Sequence, residues 1–135
     1  MSEEKIYKRI VFDVDGTLCK TKAPNQSYSE VEPDITVINK LKEYKNNGFY
    51  IILYSSRQMR TYKNNIGKIL VNTLPILLEW LQKYDIPYDE IHMGKPWCGY
   101  EGFYVDDKTI RPDEFLNMTL EEIYSLLNIN KKKNE

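Results

Sequence analysis

Asp13 and Asp15 stand two residues apart at the end of a short apolar run, Ile10 to Phe12, and Gly16 follows them. Strand side chains alternate faces, so acids at this spacing share a side if the strand runs on. Such a pair can face one divalent cation and one substrate. Taken alone, Asp-Val-Asp-Gly is explained as well by a turn that faces solvent. The rest of the chain favours chemistry. Ser55 closes a second apolar run, Lys95 follows a third, and Asp106 with Asp107 follows a fourth. In an open parallel sheet, ligands bind outside the carboxyl ends of the strands. One cleft is therefore expected to hold four carboxylates, a hydroxyl and an ammonium. Acids packed so closely repel one another unless a cation joins them. Mg2+ fits, because it takes oxygen ligands, keeps several waters and commonly binds beside phosphate. The lysine then has an anionic substrate to meet.

The elements that must position these groups follow from pattern. Ile10–Phe12 reads as a buried strand. Cys19 to Glu32 is polar and turn-like, with an exposed loop at Ala23–Ser27. Pro33-Asp34 opens a helix with Asp34 as its N-cap. Its buried face is Ile35, Ile38, Leu41 and Tyr44, and Gly48 suits a left-handed cap. Phe49 to Tyr54 predicts a strand buried on both faces. Gln58 to Val71 reads as a loop. A helix is expected over 73–84, with Leu74, Leu77, Leu78 and Leu81 as its core stripe and Trp80 off centre.

Ile91–Met93 predicts a third strand, with His92 a core residue within it. Phe103–Val105 predicts a fourth. Ile110 to Phe115 reads as irregular around Pro112. The last helix, 119–127, carries Thr119 and Glu122 in a capping box. This alternation predicts an α/β fold: a doubly wound, Rossmann-like, mainly parallel sheet with helices on both faces. One domain is expected over 1–135, with its core at about 6–127 and a frayed tail at 128–135.

Composition narrows the classes. A chain of 135 residues suffices for one domain and no more. Net charge is −1, which gives no general attraction to nucleic acid or membrane. No apolar run approaches a membrane span, and Met1 to Lys8 is too polar for a signal peptide. Cys19 and Cys98 read as free thiols and bystanders to the chemistry, in a reducing cytoplasm.

The string Asp13-Val14-Asp15-Gly16-Thr17-Leu18 matches the first motif of the haloacid dehalogenase (HAD) superfamily phosphatases. D-x-D, then Ser, then Lys, then an acidic pair reproduces the order of that family's four motifs over about residues 6–116. The resemblance implies these roles. Asp13 is the nucleophile that becomes an aspartyl phosphate, and Asp15 is the acid and base. Ser55, with Ser56 beside it, and Lys95 bind phosphate. Asp13, Asp15, Asp106 and Asp107 hold Mg2+. The gaps between motifs are too short for a cap domain, so the chain resembles the capless class, whose open cleft some members close by forming homo-oligomers.

The strings Gly94–Asp107, Ile110–Phe115 and Arg57–Asn65 resemble small HAD phosphatases of bacterial capsular polysaccharide synthesis. That implies a sugar phosphate or a phosphorylated glycan intermediate as substrate. Arg57, Arg60 and Lys63 suit its negative charge, and Tyr62 and Trp97 could stack on a sugar face. Two alternatives share the residues: a phosphotransferase or phosphomutase with the same nucleophile, and a non-catalytic HAD-like or receiver-like regulatory module.

Overall fold

Three parallel strands, β1 (Arg9–Asp13), β2 (Tyr50–Ser55) and β3 (Glu90–Met93), pair in the order β1-β2-β3 in this computed structural model, which describes residues 7–130. Residues 131–135 of the tail expected at 128–135, and residues 1–6 of the polar start, lie outside the described residues. Asp13 sits opposite Tyr54, and Ser55 opposite Met93. The carboxyl ends of all three strands therefore share one rim. β2 is central, and Ile51, Ile52 and Leu53 are all buried. Burying such side chains contributes about 1.5–3 kcal/mol each. β1 buries Phe12 but leaves Val11 58% exposed. The fold is the expected α/β, Rossmann-like class.

The chain forms two compact units, divided between Trp97 and Cys98. In the first, α1 (Ile35–Asn46) joins β1 to β2, and α2 (Ile66–Asn72) with α3 (Leu74–Lys83) joins β2 to β3. Both crossovers step the same way along the sheet. Asp34 caps α1 by accepting from the Val37 amide at 3.3 Å, and Gly48 takes φ +91° beyond its end. The buried face of α1 is Val37, Ile38, Leu41 and Tyr44, whereas Ile35 is 52% exposed in the first turn.

All of α2 but its last residue lies in the stretch expected to be a loop, Gln58 to Val71. Asn65 starts it by accepting from the Lys68 amide, and only Ile69 is buried, so its apolar signal is slight. On α3 the core residues are Leu77, Trp80 and Leu81 rather than a leucine stripe, and Leu78 is 37% exposed. Trp80 is drawn in because its indole N–H donates to the Val31 carbonyl at 2.9 Å. His92 is not a core residue. Its exposed ring meets Glu90 at 2.8 Å on the outer side of β3.

The second unit holds α4 (Pro112–Asn117) and α5 (Leu120–Leu126). Phe103–Val105 is no strand. It makes no ladder, and Phe103 and Val105 are 78% and 88% exposed. Three residues without a partner strand have nothing to fix them as one. Pro112 opens a helix instead of holding an irregular segment. It occupies the first helical position, where its missing N–H costs nothing, and the Arg111 amide donates to Glu114 Oε1 at 2.8 Å. Thr119 and Glu122 make the expected reciprocal cap of α5. Its end is bonded onward through the Asn128 and Ile129 amides.

Trp80 ties the polar segment before α1 to the core through one buried hydrogen bond. Trp80→Phe keeps the ring but orphans the Val31 carbonyl. We expect it to lower stability by about 1–3 kcal/mol, read from denaturant unfolding. An unchanged midpoint would contradict that attribution.

Candidate active site

β1 delivers Asp13 to the rim, and the chain then turns at once. The Val14 carbonyl accepts from the amides of Thr17, Leu18 and Cys19. Gly16 takes φ +84°, which a side chain would strain. Val14 and Leu18 are fully buried and lock the turn from below. The segment that follows is pinned at its base, where Lys20 N donates to Glu32 O and Asp34 N to Leu18 O. It carries a short 3-10 turn at Tyr28–Glu30.

Asp15 is held by a fork. Arg57 Nη2 donates to Oδ1 at 2.8 Å and Nε to Oδ2 at 3.2 Å. Two parallel charge-assisted bonds fix the carboxyl plane as well as its position. Cys19 Sγ adds a 3.3 Å contact to Oδ1. The Arg57 side chain is fully buried, while Asp15 keeps 27% of its own exposed. Tyr28 stacks on the guanidinium, 4.4 Å from ring centroid to carbon. The third guanidinium nitrogen, Nη1, is buried without a hydrogen-bond partner among the described residues. Arg57 was expected to meet the substrate. Burial removes it from that role and commits it to Asp15.

Asp13 lies beside this fork. Burial pushes its carboxyl above the usual range, and Lys95, 3.4 Å away, partly offsets that rise. Lys95 is placed by β3 and by its own amide, which donates to the Ser55 carbonyl. Gly94, at φ +90°, makes that turn, and a Cβ there would lie 2.6 Å from Ile66 Cδ1. Ser55 is buried at the end of β2, where its Oγ accepts from the Arg57 amide at 3.0 Å. The hydroxyl proton remains available to donate. Ser56 is half-buried next to it.

Asp13, Asp15, Ser55, Lys95 and Arg57 thus come together within the first unit. Sequence reasoning missed the last as a positioning residue. The signal was its place two residues beyond the strand-end serine. Of the other basic-loop residues, Arg60 lies over the Trp97 ring at 5.7 Å. Tyr62 is half-buried and Lys63 exposed. Asp106 and Asp107 are exposed in the second unit, where Asp106 Oδ1 accepts from the Lys108 amide at 2.9 Å.

Among the described residues, no three His, Cys, Asp or Glu side chains form a ready metal cluster. The donor chemistry at the rim of the first unit still fits a hard cation. Asp13 is a part-desolvated carboxylate with the Lys95 ammonium at 3.4 Å, and oxygen ligands of this kind suit Mg2+.

The family model for haloacid dehalogenase-like hydrolases matches residues 10–79. The chain is 50% identical to a crystal structure of a target protein from Vibrio cholerae, with a TM-score of 0.85 over 90% of this chain and 97% of that one. It also aligns with a chain of the Pnkp1/Rnl/Hen1 complex at 24% identity and a TM-score of 0.48, covering 82% of this chain and 34% of that one. No curated protein matches it. No helix among the described residues is long and apolar enough to cross a membrane.

The two thiols should behave differently. Burial, and then the Asp15 charge, push Cys19 up to about 12, whereas Cys98 is exposed. Iodoacetamide at pH 8 should alkylate Cys98 and spare Cys19 until the protein is unfolded. Peptide mass spectrometry showing equal labelling of both native thiols would contradict this geometry.

Proposed function

The chain belongs to the haloacid dehalogenase-like hydrolase family, and from that premise we propose that it is a Mg2+-dependent phosphomonoesterase working through an aspartyl phosphate. The observation that carries this reading is the pairing at the rim. One carboxylate, Asp13, lies against Lys95, while a second, Asp15, is aimed by a buried Arg57. Two carboxyl groups in unlike surroundings suit two different tasks.

In the first step Asp13 attacks phosphorus, the bond from phosphorus to the ester oxygen breaks, and Asp15 gives that oxygen a proton. In the second, Asp15 takes a proton from water as the water attacks the same phosphorus, releasing phosphate and freeing Asp13. Lys95 balances charge on Asp13 and on the phosphoryl group. Ser55 donates its hydroxyl proton to a phosphoryl oxygen, with Ser56 a second donor nearby. Such transfers depend mostly on alignment and charge stabilisation.

Asp13 and the Asp15 carbonyl would hold Mg2+ with Asp106, and Asp107 would act through water or by orienting Lys95. Bound there, the cation would neutralise charge developing on the phosphoryl oxygens. This reading treats 1–135 as one working domain.

The substrate in this reading is a sugar phosphate or another phosphorylated precursor of a capsular polysaccharide, in the cytoplasm. Support comes from the likeness of the Gly94–Asp107 and Arg57–Asn65 strings to phosphatases of that pathway. Arg60, Lys63, Tyr62 and Trp97 form its specificity loop. A homo-oligomer would cover the open cleft. Neither nucleic acid nor membrane insertion is involved.

Phosphate release from an aryl phosphate tests the core of the proposal. Turnover should require Mg2+, stop with EDTA, and fall by at least about 10³-fold in Asp13→Asn. Asp15→Asn should lower kcat by about 10²–10⁴-fold. Turnover that survives both EDTA and Asp13→Asn would refute the mechanism.

A further inference from the structure

An open groove of about 470 Å3 lies in the first unit between the polar segment after the first turn and the stretch from β2 to α3. Lys22, Gln26, Tyr28, Gln58, Tyr62 and Asn72 supply most of its polar lining. Its volume falls within the range of about 300–1,000 Å3 usual for small-molecule sites. We propose that this groove is the leaving-group subsite, and that the group it takes is a polyhydroxylated ring, neutral or negatively charged. The inference rests on the phosphatase reading above and adds where, and by which side chains, the non-reacting part of the ester is recognised.

Three observations carry it. The first is location. Tyr28 lines the groove and also stacks on Arg57, which holds Asp15. Asp15 is the residue that must reach the ester oxygen of the leaving group. The groove and the acid are thus linked through one aromatic ring, which lines the groove and covers the guanidinium that aims the acid.

The second is chemistry. Among the described residues, no Asp or Glu lines the groove. The residues that line it carry the amides of Gln26, Gln58 and Asn72, the hydroxyls of Ser27, Ser29 and the tyrosines, and the Lys22 ammonium. Amide and hydroxyl groups both donate and accept, which matches ring hydroxyls that do the same. The Tyr28 and Tyr62 rings and Ile76 offer apolar surface for the C–H face of a ring. Lys22, 5.6 Å over the Tyr28 ring, admits a negative substituent and discourages a cationic one.

The third is the backbone. Gln58, Lys63 and Asn64 all take positive φ, at 60°, 51° and 66°. Non-glycine residues in this region cost of order 1–3 kcal/mol each and persist where structure over-determines them. Of these three, Gln58 lines the groove; its Oε1 accepts from the Thr73 hydroxyl, which holds the side chain and leaves its amide nitrogen to donate.

The test is kinetic selectivity in Mg2+ buffer. Phosphate release is measured from hexose 1-phosphate, hexose 6-phosphate and pentose 5-phosphate against methyl phosphate, which shares the alkyl ester but has no ring. The wild type should favour the best sugar phosphate over methyl phosphate by at least about tenfold in kcat/KM. Lys22→Ala and Tyr62→Phe should each cut that ratio by about threefold or more. Both alter half-buried side-chain ends, and circular dichroism melting shows that the variant measured is folded. A ratio that moves less than threefold in both folded variants overturns the subsite, as does a wild type with no sugar preference. If neither these esters nor an aryl phosphate releases phosphate, the phosphatase reading itself falls and takes the subsite with it.

Discussion

A buried guanidinium without an anion is one of the most costly things a small fold can contain, and here Arg57 sits fully buried with Asp15 as its carboxylate partner among the described residues. Breaking a fully buried pair by removing one partner costs about 3–5 kcal/mol. Asp15 is part exposed, so its share is smaller, but the sign is the same. The fork therefore ties the first turn after β1 to the end of β2. The tie runs between neighbouring strands on the rim where the chemistry is proposed. Its energy fixes the direction of one carboxyl group at that rim.

The same contact reaches outward. Tyr28 covers Arg57, and the Tyr28–Glu30 turn is carried by a segment closed at its base by backbone bonds and held from below by Trp80. Core packing, segment position and carboxyl orientation are thus successive links in one chain of contacts. Asp13 depends on a different link. Its neighbour Lys95 is set by a glycine turn whose left-handed φ and lack of a Cβ leave room for Ile66 of α2. The helix hidden in the basic stretch consequently matters to the rim, although it contributes no polar group to it.

Much of this was legible in residue types. Asp34, Gly48 and the Thr119–Glu122 pair declare helix ends through local hydrogen bonds that need no distant partner. The apolar runs ending in Asp13, Ser55 and Gly94-Lys95 declare the parallel rim. What failed depended on the third dimension. Trp80 is core because a carbonyl 49 residues earlier accepts its N–H. Ile35 is exposed because the face of α1 is rotated toward Val37. α2 buries one residue and was lost among polar neighbours. Phe103–Val105 has strand-forming residues but no ladder. Arg57 looked like a ligand for substrate anions, because charge alone does not say whether an arginine will find its anion inside the protein or outside it.

The central claim is that Asp13 accepts the phosphoryl group while Asp15 stays aimed by Arg57. A crystal structure with Mg2+ and beryllofluoride, which mimics a phosphoryl group on a carboxylate, tests it most directly. The account predicts beryllium bonded to an Asp13 oxygen, Ser55 and Lys95 on its fluorides, the Arg57 fork on Asp15 intact, and Asp106 on the cation. Beryllofluoride bound elsewhere with Asp13 unmodified, or Asp106 remote from the cation, would contradict it.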